Sequence, residues 1–340
     1  MKVISVLNQK GGCGKTITAV NLAAGLSKKN KKVLLIDLDP QGHATFSLNG
    51  QIDTTITDIL EKFSQGSLMP KEKMYTQAAE NLSIISSSIG LASLEHKLST
   101  HPDKLKILFL LIKSQLSDFD YIIMDCPPNL GVLTLNALIA SQYSLIPLMT
   151  CEFSLKGMEI LKNILIMVKE FKGSAPTPFF VLNQVENRSR FSREFINKVQ
   201  SQLGKLLLNT MIRKNVHLRE SASKGKNIFD YKSDSRGAED FTNLTEEVEK
   251  ITAKKNWTSL FLKGKNLDEV YAVGDFNNWK KKDDYKLKKV GDDIWCINLL
   301  LDKGKYRYKF VAQGQWFADP YNKLTESDHF GGKNSLIIAE

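Results

Sequence analysis

Residues 7–16 read LNQKGGCGKT, a segment in which glycines alternate with lysines and which ends on a hydroxyl. Glycine permits a tight turn in which successive backbone N–H groups face one anion. A helix that begins directly afterwards would add its positive N-terminal end. Lys15 supplies a charge for the β- and γ-phosphates, and Thr16 supplies a hydroxyl for Mg²⁺. The segment predicts a nucleotide phosphate site, although Gln9 replaces the first glycine of the GxxxxGK[ST] pattern and Lys10 adds a second lysine.

Two further apolar runs end on acidic residues. Residues 37–45 read DLDPQGHAT, and Asp125 ends the run YIIMD ahead of CPP. A carboxylate at the end of a strand, beside phosphates, can hold the Mg²⁺ shell or orient the attacking water. We therefore predict Asp37 and Asp125 as magnesium ligands together with Thr16, and Asp39 as the residue that positions water.

The elements around these segments alternate between strand and helix up to about residue 254. Runs such as KVLLID and FFVLN are apolar on both faces, as strands of a buried parallel sheet are. Residues 16–29 follow a helical period. This alternation predicts an α/β fold with a doubly wound, mostly parallel sheet. The predicted strands are residues 2–8, 32–37, 121–125, 144–149 and 179–183.

The pattern changes after an acidic helix predicted at residues 239–253. Short apolar runs separated by Gly, Asp and Asn predict an all-β, immunoglobulin-like sandwich. We therefore place one domain at residues 1–254 and a second at 257–340. The predicted strands of the second domain are residues 258–263, 269–273, 285–289, 294–300, 305–311 and 335–339.

Composition limits the possible functions. The 340 residues are 42% hydrophobic and carry a formal net charge of +10, which suggests an anionic partner. Residues 188–236 hold twelve Lys and Arg against four Asp and Glu. The four cysteines form no CxxC pair, and no apolar run approaches the length of a membrane span. We expect a cytoplasmic protein with no membrane partner.

Together, LNQKGGCGKT, DLDPQGHAT and YIIMDCPP resemble the deviant-Walker-A ATPases of the ParA/Soj partition type. The NQKGG and DPQG forms favour the ParA/Soj branch over the MinD branch. The resemblance implies a P-loop NTPase fold, ATP and Mg²⁺ as cofactors, and a slow, partner-stimulated hydrolysis of ATP.

The resemblance also implies roles for single residues. Lys10 would reach the partner's phosphates across an ATP-sandwich homodimer, whereas Lys15 would hold those of its own ATP. Asp39 would orient water, and Asn183 would read the adenine edge. The residues implied to contact ATP are Lys10, Gly11, Gly12, Cys13, Gly14, Lys15, Thr16, Ile17 and Asn183.

Residues 211–241 resemble the C-terminal block of the family, which implies ATP-dependent, non-specific DNA binding and stimulation by a ParB-like or cargo protein. Two departures from the family pattern matter here. Arg213 replaces a usual proline near the adenine pocket, and Asp230 stands where many relatives carry a basic residue. The candidate DNA contacts are Arg188, Arg190, Arg193, Arg213, Lys214, Arg219, Lys224, Lys226 and Arg236.

The segments VYAVGDFNNW, KYRYKFVAQGQWFADP and FGGKNSLII resemble family 48 carbohydrate-binding modules, the glycogen-binding sandwich of AMP-activated kinase β subunits. The resemblance implies that Trp279 and Trp316 stack on glucose rings and that Lys309 and Asn334 bind hydroxyls. Phe330 would push into the ring of an α-glucan helix. Gly332 replaces a hydroxyl residue of the kinase subunits.

Three interpretations remain open from the sequence. The chain is an ATP-dependent switch that partitions or positions DNA, or an ATPase adaptor that positions glycogen or another α-glucan without a role in partition. In the third interpretation the sandwich recognises only a protein.

Overall fold

In the computed structural model, the described residues are 1–50, 53–151, 153–172, 174–186, 190–253, 257–289, 293–328 and 331–339. Within them, eight strands form one sheet in the order β3-β4-β2-β5-β1-β6-β7-β8. Strands β4, β2, β5, β1 and β6 pair in parallel, and β3 runs antiparallel to β4. The bounds are β1 Lys2–Val6, β2 Val33–Asp37, β3 Thr76–Ala79, β4 Leu82–Ile85, β5 Tyr121–Asp125, β6 Tyr143–Met149, β7 Thr177–Val185 and β8 Leu207–Arg213.

Helices follow most of these strands, as the alternating pattern predicts. In the centre of the sheet, every residue of β2 and of β5 is buried. The helices are α1 Lys15–Lys28, α2 His43–Ser47, α3 Ile56–Ser64, α4 Gly90–Leu98, α5 Ile107–Gln115, α6 Val132–Ala140, α7 Phe153–Lys172, α8 Arg190–Leu203, α9 Val216–Ser223, α10 Ile228–Tyr231 and α11 Arg236–Ala253. The predicted doubly wound α/β fold is confirmed.

The register of the central strands brings the predicted site together. Asp37 and Asp125 are direct neighbours across β2 and β5, and Val6, at the end of β1, is the neighbour of Asp125 on its other side. The glycine-rich loop therefore leaves β1 beside both carboxylates. Ligands of open α/β sheets bind at this carboxyl edge of the strands.

The C-terminal strands form two antiparallel sheets, which confirms the predicted all-β architecture. One sheet has the order β10-β13-β16-β15 with β14 beside β13, and the other has the order β11-β12-β9. Side chains of both sheets share one apolar core, including Leu260, Trp295, Tyr308 and Phe310. The bounds are β9 Trp257–Lys263, β10 Val270–Gly274, β11 Lys288–Lys289, β12 Ile294–Leu300, β13 Gly304–Ala312, β14 Gln315–Phe317, β15 Thr325–Ser327 and β16 Lys333–Ala339.

One predicted strand of this region is largely wrong. Residues 285–289 were expected to be extended, but a short 3-10 helix occupies Asp283–Tyr285 and only Lys288–Lys289 pair as a strand. The N–H of Tyr285 donates to the Lys282 carbonyl, which closes a turn in the lysine- and aspartate-rich segment. Polar residues that favour turns outweigh the short apolar alternation here.

The chain divides into two compact units. Unit 1 comprises Met1–Thr150, Phe179–Ser192 and Leu208–Lys250, and unit 2 comprises Cys151–Pro178, Arg193–Leu207 and Ile251–Glu340. Unit 2 therefore contains α7 and most of α8 as well as the C-terminal sandwich. The predicted domains 1–254 and 257–340 do not follow these units, and the predicted boundary at residues 254–256 lies outside the described residues.

A buried ion pair joins α7 to the sandwich within unit 2. The Lys169 ammonium lies 2.5 Å from Asp319 Oδ2, and the two side chains are 5% and 0% exposed. The same oxygen accepts a hydrogen bond from the Tyr308 hydroxyl, and Asp319 Oδ1 accepts one from the Tyr321 N–H. Burial, and next the Asp319 charge, raise the pKa of Tyr308 well above its ordinary value. The network satisfies both oxygens of a carboxylate that water does not reach.

Candidate nucleotide and carbohydrate sites

The glycine-rich loop turns sharply into α1. Gly12 and Gly14 have φ values of 73° and 87°, a region that L side chains adopt only at a cost, and α1 begins at Lys15. A Cβ at Gly14 would lie 2.2 Å from the Asn183 amide nitrogen. Both the conformation and the close approach therefore require glycine at position 14.

The carbonyl oxygens of Lys10, Gly12 and Cys13 in the loop accept hydrogen bonds from donors of unit 1. Gln184 Nε2 donates to the Gly12 carbonyl and Asn183 Nδ2 to the Cys13 carbonyl, each at 2.8 Å. The Lys15 ammonium donates to the Lys10 carbonyl at 3.3 Å. With their carbonyls so occupied, the peptide groups of the loop have their N–H groups to offer to an anion.

The predicted ATP residues of this loop lie together, from Lys10 to Ile17. Lys15 is buried and Thr16 half-buried at the start of α1. The Cys13 side chain is buried, and burial raises the pKa of its thiol although Lys15 acts in the opposite direction. Cys13 is therefore a small neutral side chain in the loop.

Both carboxylate oxygens of Asp37 accept hydrogen bonds from nearby residues of the chain. Its Oδ2 accepts hydrogen bonds from the N–H and the hydroxyl of Thr45, both at 2.8 Å, and its Oδ1 accepts one from the Asp39 N–H. Burial raises the pKa of Asp37 to about 6, against the lowering effect of the Thr45 hydrogen bonds. The Thr45 hydroxyl also accepts a hydrogen bond from the Ser87 N–H. These contacts fix the segment that carries Asp39.

Asp125 is the opposite case, because neither of its buried carboxylate oxygens has a hydrogen-bond partner among the described residues. Burial and, next, the Asp37 charge raise its pKa well above the ordinary value, and the Thr16 hydroxyl and Lys15 act the other way. A buried carboxylate without a partner is costly unless a cation or a proton completes it. Asp125 beside Thr16 therefore fits the oxygen ligands that Mg²⁺ requires.

Asn183, the predicted adenine reader, lies at the carboxyl end of β7 and is buried. Its Oδ1 accepts a hydrogen bond from the Gln184 N–H, and its Nδ2 keeps one hydrogen after donating to Cys13. A small pocket opens beside it. The lining residues are Gly14, Ile17, Asn183, Gln184, Arg213, Lys214, Asn215, Leu218 and Arg219.

Two candidate DNA contacts are paired with acids instead. The Arg213 guanidinium lies 2.6 Å from Asp240 Oδ1 and 2.5 Å from Glu239, and these hydrogen bonds raise its pKa further. The Lys214 ammonium lies 2.5 Å from Glu186. Two acids, one of them buried, hold Arg213, which argues against it as a DNA contact, whereas the exposed Lys214–Glu186 pair leaves Lys214 a candidate.

The other candidate DNA residues are exposed where the structure describes them. Arg219 lies within α9, Lys224 and Lys226 follow that helix, and Arg236 begins α11. A Cβ at Gly237 would lie 3.0 Å from Leu218, so the start of α11 packs against α9. We call Arg219, Lys224, Lys226 and Arg236 the α9 basic edge. Arg193 is exposed in unit 2, whereas Arg188 and the Arg190 side chain lie outside what the structure describes.

Three of the predicted carbohydrate residues, Lys309, Trp316 and Asn334, lie on strands of the five-stranded sheet, and Trp279 lies in the turn after β10. The rings of Trp279 and Trp316 stack with their centroids 6.4 Å apart at 21°, and Trp316 is 48% exposed. The Lys309 ammonium lies 2.5 Å from Asp328, and Asn334 is buried on β16 opposite Glu326. Phe330 lies outside the described residues.

Asp328 also explains the glycine at position 332. A Cβ there would lie 2.7 Å from Asp328 Oδ2, and the Gly332 N–H donates to Asp328 Oδ1 at 2.6 Å. The Asp328 carboxylate thus places a polar group next to Gly332, the glycine that replaces a hydroxyl residue of the kinase subunits.

Several residues of these sites escape sequence reasoning. Thr45, Gln184, Asp275 and Asp328 act through hydrogen bonds to residues outside their own local pattern, as far as 172 residues away for Gln184. Thr45 and Asp275 stand inside sequence motifs, and Gln184 stands next to one. That adjacency was the only available signal, and residue type alone does not reveal such a partner.

The comparisons agree with both halves of the chain. Residues 1–175 match the model of the AAA domain family, and residues 261–340 match that of the glycogen recognition site of AMP-activated protein kinase. Among the described residues, no helix is long and apolar enough to cross a bilayer.

Similar proteins cover the first 250 residues or so. The sporulation initiation inhibitor protein Soj of Bacillus subtilis is 36% identical over 73% of this chain and 98% of its own length. The chromosome partitioning protein ParA of Myxococcus xanthus is 32% identical over 75% of this chain and 90% of its own. The structure of cobyrinic acid a,c-diamide synthase from Mycobacterium smegmatis, with bound ATP analog and magnesium, is similar with a TM-score of 0.63 and 25% sequence identity. The match covers 74% of this chain and 96% of that protein.

The motif pattern, the P-loop fold and these relatives agree, and they confirm the predicted ATPase class with ATP and Mg²⁺. The C-terminal sandwich equally matches the glycogen-recognition model that its motifs predict. The chain belongs to the Soj/ParA family of P-loop ATPases and carries a C-terminal module of the glycogen-recognition type.

Proposed function

We propose that this ATPase is a dimerisation switch that binds DNA non-specifically while it holds ATP and releases it after hydrolysis. The observation that carries the proposal is the loop of residues 10–16, with three of its carbonyls occupied, beside the buried Asp125, whose oxygens have no hydrogen-bond partner among the described residues. This arrangement offers N–H groups to phosphates and a carboxylate to a cation.

The residue roles follow from this geometry. Lys15 would leave the Lys10 carbonyl for the phosphates of bound ATP, and Thr16 with Asp125 would hold Mg²⁺. Bound Mg²⁺ neutralises charge on the phosphates and supports their transfer to water. Asp39, on a segment fixed by Asp37 and Thr45, would orient that water.

An apolar surface beside the loop supports dimerisation. Phe46 is exposed and, with Ile17 and Ala222, lines an open apolar pocket at the nucleotide site. A second copy would cover this surface and bring its Lys10 to the phosphates. A ParB-like or cargo protein would stimulate hydrolysis, and the switch would act in the cytoplasm on the nucleoid.

The α9 basic edge supports DNA as the bound surface, because its four cations have no ion pair within the described part of the chain. Asp230, the acid that the sequence placed among them, is paired with Lys28 at 3.0 Å, so less of its charge would repel a phosphate. Phosphate contacts of this kind are non-specific and weaken steeply with salt.

Retention of the full chain on immobilised duplex DNA tests the proposal. We expect retention at low salt with ATP and Mg²⁺, and little without nucleotide. Lys15→Ala should lose the ATP-dependent part. Equal retention with and without ATP, or none at low salt, contradicts the switch.

We propose a second function for the sandwich, namely α-glucan binding, which the stacked Trp279–Trp316 pair favours. Indole faces stack on the apolar faces of glucose rings, while Lys309 and Asn334 would bind hydroxyls. In this role the ATPase would position glycogen or a similar cargo, as an alternative to DNA partition.

Co-sedimentation with glycogen tests this second function. The wild-type chain should pellet with glycogen, and the double variant Trp279→Ala/Trp316→Ala should stay in the supernatant. If the wild-type chain does not pellet, the sandwich recognises a protein or serves the fold alone.

A further inference from the structure

Gln184 is a feature of unit 1 that none of the predicted motifs explains. It lies next to the end of β7, and its side-chain Nε2 donates a hydrogen bond of 2.8 Å to the Gly12 carbonyl in the middle of the phosphate loop. The contact joins positions 172 residues apart. It holds a loop whose own residues, Gly11 and Gly12, have no side chains with which to hold it.

The backbone of Gln184 is unusual for a strand residue. Its φ is 55°, in the left-handed region, which residues other than glycine seldom occupy. Such strain persists where the surrounding structure enforces it, and it is concentrated at functional sites. The Asn183 side chain accepts a hydrogen bond from the Gln184 N–H, which secures this conformation.

The side-chain amides of Asn183 and Gln184 bind two successive carbonyl groups of the phosphate loop. Asn183 holds the Cys13 carbonyl, and Gln184 holds the carbonyl of the preceding Gly12. When two successive carbonyls are held on one side, the peptide planes between positions 12 and 14 are fixed. The N–H groups of those planes are then set before a phosphate arrives.

We propose that Gln184 is a positioning residue for ATP, which holds the phosphate loop in its binding conformation before the nucleotide binds. It acts through the Gly12 carbonyl and not by contact with the reacting atoms. Preorganisation lowers the cost of ordering the loop on binding, so the residue contributes to affinity for the phosphate chain.

Two substitutions separate the side chain from the strained backbone. Gln184→Gly removes the donor and tolerates the left-handed φ, so the protein should fold. Gln184→Met keeps the length of the side chain without a donor. In both, we expect the amides of residues 7–16 to exchange with deuterium faster in the nucleotide-free protein. We also expect the Kd for ATP to rise about fivefold with kcat little changed, since one hydrogen bond contributes about 1 kcal/mol.

Inorganic tripolyphosphate with Mg²⁺ separates positioning of the loop from contact with the base, because Gln184 also lines the pocket beside Asn183. If Gln184 positions the loop, the affinity for tripolyphosphate falls by the same factor as the affinity for ATP. If adenosine binding falls and tripolyphosphate binding does not, Gln184 reads the base and the proposal is wrong.

Gln313 provides a matched control in unit 2. It has the same left-handed backbone, with φ 49°, and its Nε2 donates to the Asn266 carbonyl at 2.9 Å. Gln313→Gly should leave ATP affinity and the exchange of residues 7–16 unchanged. Unchanged loop exchange and ATP affinity in both Gln184 variants would overturn the proposal.

Discussion

Asp125 and Asp37 are two buried carboxylates in very different surroundings. The carboxylate of Asp125 is fully buried, and neither oxygen has a hydrogen-bond partner among the described residues. Its neighbour Asp37 is equally buried but accepts three hydrogen bonds. The two acids thus lie side by side in the sheet, but Asp37 is fully hydrogen-bonded and Asp125 is not. Of the two, Asp125 is the one whose oxygens are available to a cation.

We expect Asp125→Asn to increase the free energy of unfolding of the nucleotide-free protein at pH 7.5 by about 2 kcal/mol, because it removes a buried, unpartnered charge. A raised pKa means that the folded wild type takes up a proton on acidification, so its penalty is lost as the pH falls through that pKa. The advantage of the variant should therefore shrink towards acid pH. Urea unfolding at several pH values, followed by far-UV circular dichroism, measures it.

Asp37→Asn is the matched control for this prediction. An amide at position 37 would set an NH₂ group against the N–H of Asp39 or Thr45, so this variant should lose stability at pH 7.5. Burial raises the pKa of Asp37 from 3.8 to about 6, so the penalty of its charge grows as the pH rises between these two values and is complete above about 6. Equal effects of the two substitutions would contradict the distinction between the two acids.

The sequence predicts those site residues whose role depends on a local pattern. Lys15, Thr16 and Asp125 follow strands that an apolar run already reveals, and the loop needs glycine for reasons of backbone geometry alone. Gln184 and Asp328 could not be predicted, because their partners become neighbours only when the chain folds. The same limit applies to Arg213, whose charge looked available until α11 placed Asp240 beside it.

At the scale of elements, α9 and its neighbours present a group of exposed cations in unit 1. Residues 188–236 hold an excess of cations over acids, and pairing with Asp240 and Glu239 removes Arg213 from those available to an anion. The loop after α9 keeps Lys224 and Lys226 exposed on either side of Gly225, which has a φ of 64°. A short turn therefore presents two lysines together.

We expect Lys224→Ala/Lys226→Ala to weaken ATP-dependent DNA binding and to reduce the slope of log K against log salt by about 2, one for each lost phosphate contact. Filter binding at several salt concentrations gives the slope. Lys73→Ala/Lys104→Ala removes two exposed lysines elsewhere in unit 1 and should leave the slope unchanged. A common fall in both double variants would indicate an effect of net charge alone.

The turn after β10 holds one of the two stacked indoles. Asn278 and Trp279 are both left-handed, with φ values of 55° and 58°, and Trp279 Nε1 donates to Asp275 Oδ1 at 3.0 Å. Arg307 donates to Asp275 from its backbone N–H at 2.8 Å and from its guanidinium at 3.2 Å. Although burial opposes it, these hydrogen bonds lower the pKa of Asp275. Asp275 therefore links the ring to β13.

We expect Asp275→Ala to lower glycogen binding by about fivefold, because the Trp279 ring loses a hydrogen bond of about 1 kcal/mol that orients it. Glu269→Ala removes an exposed acid that pairs with Lys286 on the same module, and it should have no effect. Quantitative co-sedimentation compares the two. Equal binding by Asp275→Ala and wild type would show that stacking with Trp316 alone fixes the ring.

At the scale of the whole molecule, the sequence predicted two kinds of domain but not how unit 2 is composed. The strands of the sandwich follow from alternation and turns, and β12 occupies the predicted residues 294–300. The association of α7 with the sandwich depends on Lys169 and Asp319, which lie 150 residues apart. Each would be interpreted alone as an ordinary surface charge, so nothing local predicts the pair.

We expect Lys169→Met to lower the free energy of unfolding of unit 2 by about 3–5 kcal/mol, because it leaves Asp319 buried without its counter-ion. The double variant Lys169→Met/Asp319→Asn should recover most of this loss, since the asparagine oxygen can accept a hydrogen bond from the Tyr321 N–H while its NH₂ group donates to the Tyr308 hydroxyl. All four tryptophans lie between residues 257 and 316, so their fluorescence during urea unfolding reports on unit 2 alone.

The variant Lys205→Met is the control. It breaks an exposed ion pair with Asp284 and should lower the free energy of unfolding by less than about 1 kcal/mol. A loss in Lys169→Met no larger than in Lys205→Met would mean that the ion pair does not hold α7 against the sandwich.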